Sequence, residues 1–161
     1  EWTNTVEREI FSGAQVSTLL PYDPIKKELI LIQQFRAGVL SKYDEKYLYE
    51  IVAGMIDKNE KPEDAAKREC FEETGCYVKK IIPIQGYFPA PGSSESYFHL
   101  FLGEVNSFEG ERIRGLENEN EDILVKSFKI SEVKKLLEKK EIQNGVTLVA
   151  LQWFFLEYYK N

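Results

Sequence analysis

Histidine, cysteine and methionine are scarce in this chain: one His, two Cys and one Met among 161 residues. With His99 alone, multi-histidine zinc sites are excluded, and Ser-His-Asp or Cys-His catalysis survives only if His99 carries it. His99 lies inside the apolar run 97–102 and reads as a strand residue, so general acid–base work falls on carboxylates. Cys70 and Cys76 are six residues apart, about 9 Å of helical rise, which a disulfide does not span unless Gly75 ends the helix early. A reduced, cytoplasmic protein is the expectation. Residues 1–11 carry no targeting pattern. The most apolar run, 146–159, contains Gln152 and Glu157 and is too short to cross a bilayer, so no membrane partner is expected. Positive charge is also short. Lys and Arg number 21 against 27 Asp and Glu, and the net charge of −6 argues against nucleic acid as a partner. A phosphate substrate stays open, because a bound metal can supply local positive charge.

The composition, 43% hydrophobic and 30% charged, is that of a globular chain, and the length suits one domain over 1–161. Strand character is expected at 5–11 and 14–21 with a break at Ser12-Gly13, then at 28–35 and 47–53. A helix is predicted over 62–74. Pro62 suits its first turn, Glu63 and Asp64 complement its dipole, and Gly75 stands where a left-handed C-terminal residue belongs. Ala65, Ala66, Cys70 and Phe71 form its packing side. Strands follow at 78–88, with an interruption near Pro83 or Gly86, and at 97–105. A Gly-containing connection spans 106–118 and a further strand 123–130. Ser131 is read as the N-cap of the next helix, and Gly145 as the break before a last helix over 146–158, apolar almost all round and therefore buried. The expected class is α+β, a mixed sheet flanked by helices as an α/β/α sandwich with an N-terminal antiparallel strand extension. Residues 1–22 are read as an N-terminal strand extension and 23–161 as the core of the domain.

Everything turns on residues 54–76, GMIDKNEKPEDAAKRECFEETGC. Glu69, Glu72 and Glu73 fall at i, i+3 and i+4, so three carboxylates share one helical face. Such pairs destabilise an isolated helix by about 0.2–0.5 kcal/mol each. A hard divalent cation would offset the repulsion, and a solvated acidic face beside Lys67 and Arg68 is the plainer alternative. An EF-hand at Asp57 is excluded, since Lys61 takes a ligand position and the required Gly is missing.

The spacing decides between these. Gly54, Glu60, Arg68-Glu69, Glu72-Glu73 and Gly75 stand at the positions of the Nudix box, and the stretch resembles that signature of hydrolases acting on nucleoside diphosphates linked to another group. Cys70 and Cys76 replace the usual aliphatic residues. The resemblance implies Glu69 and Glu73 as metal ligands, with Glu72 and the Ala53 carbonyl joining them, and Mg²⁺ as the ion, with Mn²⁺ as a substitute. It places Arg68 and Glu72 among the catalytic groups and Gly54, Glu60 and Gly75 as structural. Outside the box the chain resembles the ADP-ribose pyrophosphatase branch. The branch's marks are QQFR ending at Arg36, Pro91 fifteen residues past Cys76, and the acidic run 118–122. By that resemblance Glu119 is the general base and Glu121 a further ligand. Arg36 and Glu95, with Arg8 and Glu9 from the N-terminal strands, contact substrate, and the protein is a homodimer. The implied reaction is hydrolysis of ADP-ribose to AMP and ribose 5-phosphate. GDP-mannose or another nucleotide sugar is the alternative substrate. A catalytically silent nucleotide sensor is disfavoured because every box glutamate is present.

Overall fold

The computed structural model describes residues 4–40, 47–116 and 121–160. Eight strands form one sheet: β1 (Gln15–Asp23), β2 (Glu28–Phe35), β3 (Tyr47–Glu50), β4 (Val52–Met55), β5 (Lys80–Tyr87), β6 (Tyr97–Glu104), β7 (Glu111–Arg114) and β8 (Ile123–Lys129). Its path runs β5-β6-β1-β2-β8-β7, with β3 added on β2 and β4 on β1. The β1–β6 pair is parallel and the other pairs antiparallel, so the sheet is mixed.

The site originates in a divergence of β1 from β2. They pair only at Tyr22–Leu29 and Asp23–Glu28, beside the turn. Asp23 holds that turn by accepting from the Ile25 and Lys26 amides. Beyond it the strands part, and the run 47–53 enters as two pieces: β3 lies on β2, and β4 on β1. The single strand expected over 47–53 is therefore split at Ile51. Ile51 N–H leaves the ladder and donates to Thr147 Oγ1 at 3.0 Å, and Thr147 Oγ1 donates to Asn144 Oδ1. A buried amide needs such a partner.

Helix α1 (Pro62–Thr74) packs on one face, against a core containing Leu19, Ile30, Ile32, Val52, Ile123 and Val125. Ser17 Oγ donates to Pro62 O at 2.7 Å and ties the start of α1 to β1. The other face, with Leu20, Leu29, Leu31, Leu100 and Phe128, is covered by α2 (Ile130–Glu138), α3 (Gly145–Trp153) and a π-helical turn, Phe154–Tyr158. No helix among the described residues is long and apolar enough to cross a membrane.

The structure departs from the expected elements at several points. Residues 4–10 form no strand; the segment's ladder contact among the described residues is a parallel bridge from Phe11 to Ser94, where the Phe11 amide donates to Ser93 O at 2.8 Å. The connection 106–118 contains β7, whose residues are all exposed and carry no burial signal. Helix α2 begins before Ser131, at Ile130, because Glu132 accepts from the Lys129 amide at 2.7 Å and closes the first turn. Gly145 opens α3 rather than preceding it, with Asn144 Oδ1 accepting from the Thr147 amide. Phe71 is 40% exposed and stacks on Tyr77 at 4.5 Å, outside the packing side formed by Ala65, Ala66 and Cys70. Both cysteines are buried and unpaired, and burial pushes the Cys70 thiol up to about 12.

Gly75 ends α1 with φ 72°, its amide donating to Phe71 O at 2.8 Å. A Cβ there would meet the Arg114 guanidinium of β7. Gly75→Ala should cost about 1 kcal/mol or more, through the left-handed backbone and the displaced arginine. Thermal unfolding checks this, and a melting temperature equal to wild type would contradict it.

Candidate active site

Where β4 ends and α1 begins, the sequence order brings a loop, a strand end and a helix face around one opening. The cleft measures about 450 Å³ and is lined by Arg36, Ala53, Gly54, Met55, Asp57, Arg68, Glu69, Glu72, Leu116 and Glu121. Helical spacing sets Glu69, Glu72 and Glu73 on the side of α1 that faces β4. The three are not equivalent. Glu73 is 2% exposed, and its Oε2 accepts from the Ala53 amide at 3.3 Å. Burial, with Glu69 adding repulsion, pushes its carboxyl well above the ordinary range. Burial also raises Glu69, although Arg68 opposes the shift.

Arg68 organises the opening. Its Nε and Nη2 donate to the two Glu60 oxygens, both at 2.9 Å, and Nη2 also donates to Met55 O at 3.0 Å. Its Nη1 donates to Glu69 Oε1 at 2.7 Å and to Glu72 Oε2 at 3.0 Å. One guanidinium thus joins loop, strand and helix. Glu60 in turn accepts from the Asp57 amide, and the Arg68 bonds hold its carboxyl below the usual range.

Gly54 is there for space. A Cβ on it would fall on the Glu69 carboxylate. Gly54→Ala should therefore push Glu69 off the strand and cut turnover at least about tenfold while the fold persists, since a misplacement of about 1 Å already costs up to a hundredfold. Steady-state rates beside a melting curve test this, and wild-type turnover would contradict it.

Arg36 follows β2 and reaches across to β3, where its Nε and Nη2 donate to Glu50 Oε1 and Oε2 at 2.9 and 2.7 Å. Glu50 was not singled out from the sequence. Its signal was a lone acid in the apolar run YLYEIVA, ambiguous because an acid at a strand end is more often solvated. Glu121 lines the same cleft, whereas Glu119 lies outside the described residues. Glu95 belongs to a different hollow of about 360 Å³, with Ile10, Phe88, Pro91 and Ser94. Arg8 and Glu9 are exposed in the irregular 4–10 segment, and Arg8 Nη1 donates to Glu7 O. Within this chain these three are not gathered with the glutamates. His99 is a strand residue of β6, with Nε2 3.0 Å from Gln15 Oε1.

Among the described residues no three His, Cys, Asp or Glu side chains form a ready cluster for an ion. The donors nevertheless suit a hard divalent cation, being carboxylate oxygens beside backbone. Two observations support the fit: Glu73 is buried against one amide and repelled by Glu69, and Arg68 Nη1 lies between Glu69 and Glu72, where positive charge is needed.

A strand-ended cleft with this loop and helix is the arrangement of a phosphoanhydride hydrolase, and the chain belongs to the Nudix family: the NUDIX domain matches residues 14–149. Members of this family generally use divalent metals. The chain is 35% identical over 158 residues to an ADP-ribose pyrophosphatase of Escherichia coli strain K12, covering 98% of this chain and 76% of that protein. It is 29% identical over 153 residues to a GDP-mannose pyrophosphatase of Salmonella arizonae, covering 94% of this chain and 79% of the relative. A crystal structure of an ADP compounds hydrolase superposes with a TM-score of 0.65 at 20% identity, over 88% of this chain and 74% of that one, and agrees in fold.

Proposed function

We propose that the chain hydrolyses the diphosphate bond of ADP-ribose, giving AMP and ribose 5-phosphate, with Mg²⁺ as the ion and Mn²⁺ as a substitute. The observation that carries this is the convergence of Glu69, Glu72, Glu121, Arg36 and Arg68 on one cleft, in a chain 35% identical to an ADP-ribose pyrophosphatase. Glu69 and Glu73, with Glu72, Glu121 and the Ala53 carbonyl, would hold the ion. When bound, it neutralises the diphosphate oxygens and lowers the pKa of water.

The chain's own residues do the rest. Gly54 lets the Glu69 carboxylate lie against β4, so its position is set before substrate arrives. Arg68 holds Glu69 and Glu72 in register with the loop through Glu60. Arg36, which lines the same cleft, offers a donor to diphosphate oxygens. Glu119 takes the proton of the attacking water. One P–O bond breaks, the water oxygen joins one phosphorus, and the leaving phosphate keeps the bridging oxygen. Glu95, Arg8 and Glu9 would contact the nucleoside or ribose, the last two across a homodimer in which exposed Val6, Ile10 and Phe11 find cover. The two unpaired, buried cysteines suit a cytoplasmic setting.

The test is a panel of nucleotide sugars with Mg²⁺ in ¹⁸O water, read by kcat/KM and product mass. ADP-ribose should be preferred, with AMP and ribose 5-phosphate as products. A GDP-mannose preference of more than about tenfold, some 1.4 kcal/mol, would reassign the substrate. Tight ADP-ribose binding without hydrolysis would make the chain a sensor.

A further inference from the structure

We infer that Glu50 is a positioning residue for the substrate-binding wall of the cleft, acting through Arg36. The inference rests on reading that cleft as the hydrolase site. Glu50 stands opposite Ile32 in the β2–β3 register, and Ile32 packs in the core beneath α1. Alternation along an extended strand returns every second residue to that face, so Gln34 and Arg36 share it. Arg36 keeps an extended backbone, φ −124° and ψ 107°, and its side chain folds back along the face to Glu50. The Glu50 side chain is 3% exposed and that of Arg36 42%.

This asymmetry defines the role. Glu50 cannot meet substrate itself, because it is buried and both its oxygens are taken by Arg36. Arg36 lines the cleft, and Glu50 engages its Nε and Nη2, leaving Nη1 for another acceptor. A guanidinium held at two nitrogens keeps one orientation, so little rotamer freedom is lost when a phosphate oxygen binds. The pair is also formally neutral. It therefore directs a hydrogen-bond donor at the diphosphate without adding net positive charge to compete for the glutamates. A lone arginine there would be free to turn toward Glu73 or Glu121, both close enough to raise its pKa.

The test is Glu50→Gln, which keeps the volume and loses the charge. KM for ADP-ribose should rise about tenfold, the effect of one charged hydrogen bond, with kcat within about threefold. Arg36→Gln should raise KM at least as much, and the double variant should be no worse than Arg36→Gln alone. Phenylglyoxal, which needs two free guanidinium nitrogens, should label Arg36 faster in Glu50→Gln than in wild type, read by peptide mass. Unchanged KM, a loss confined to kcat, multiplicative losses in the double variant or unchanged labelling would each overturn the assignment. If Glu50→Gln fails to fold, Arg36→Lys keeps the charge and loses the fork. It should show the same rise in KM, and a wild-type KM would overturn the inference. Should the wild-type protein hydrolyse no nucleotide sugar, the function reading fails separately, and labelling of Arg36 still decides whether Glu50 holds it.

Discussion

Glu73→Gln should lose at least about a hundredfold in turnover with Mg²⁺ while leaving the chelated protein as stable as wild type or more so. Removing a partner that only orients a metal ligand already costs about 10–100-fold, and Glu73 is proposed above as a ligand itself. The stability half follows from burial. Glu73 is 2% exposed, accepts from the Ala53 amide, and is raised well above its ordinary pKa by desolvation and then by Glu69. A neutral amide of the same shape escapes that penalty. A gain of about 1 kcal/mol would raise the melting temperature by roughly 2–4 °C in a chain of this size.

The pH dependence has a definite sign. A carboxyl whose folded pKa is raised stabilises the fold below its unfolded value and loses that stabilisation as pH rises through the folded value. In chelator the wild-type melting temperature should therefore fall from mildly acidic toward neutral pH, and the slope should be shallower in Glu73→Gln. Asp23 and Glu60 are held below their ordinary values, so their contributions disappear only at lower pH, as it falls through those values. Differential scanning fluorimetry with chelator or Mg²⁺ reads both effects. Wild-type turnover in Glu73→Gln would remove it from the ligand set.

Arg68→Met should lower the melting temperature in chelator and reduce turnover together, and added Mg²⁺ should recover part of the stability. The substitution removes donations to Glu60, Glu69, Glu72 and Met55 O. It leaves carboxylates of 17%, 14% and 26% exposure close together. Partial exposure moderates the loss, and about 2 kcal/mol is expected, near 4–8 °C. Recovery by Mg²⁺ distinguishes relief of carboxylate repulsion from a general packing defect, because an ion replaces the guanidinium charge but not its tie to Met55. Arg68→Lys should fall between the two, keeping charge without the fork. An unchanged melting temperature in Arg68→Met would show that Arg68 does not brace loop to helix.

Much of this is legible in the residues themselves. Helix α1 begins at Pro62 and yields to a left-handed Gly75, as expected, because a proline, two acids and a glycine act within one turn of their own positions. Strand β2 spans Glu28–Phe35, as its apolar run indicated. Strand β7 escaped notice because Glu111–Arg114 is exposed throughout, so no periodicity marks it. The split at Ile51 escaped for another reason. It depends on β1 and β2 parting and on Thr147 receiving the freed amide, 96 residues away.

The family and the grouping of three glutamates on one helical face follow from the order of residues, because box spacing and helical period are local properties. How those glutamates differ depends on packing. Glu73 is buried against Ala53, Glu69 is packed against Gly54, and Glu72 is held by Arg68, and each environment depends on where β4 lies. Tertiary structure also decides that Arg36 is held by Glu50. Residues fourteen positions apart on two strands meet only once register is set, and register is a property of the sheet.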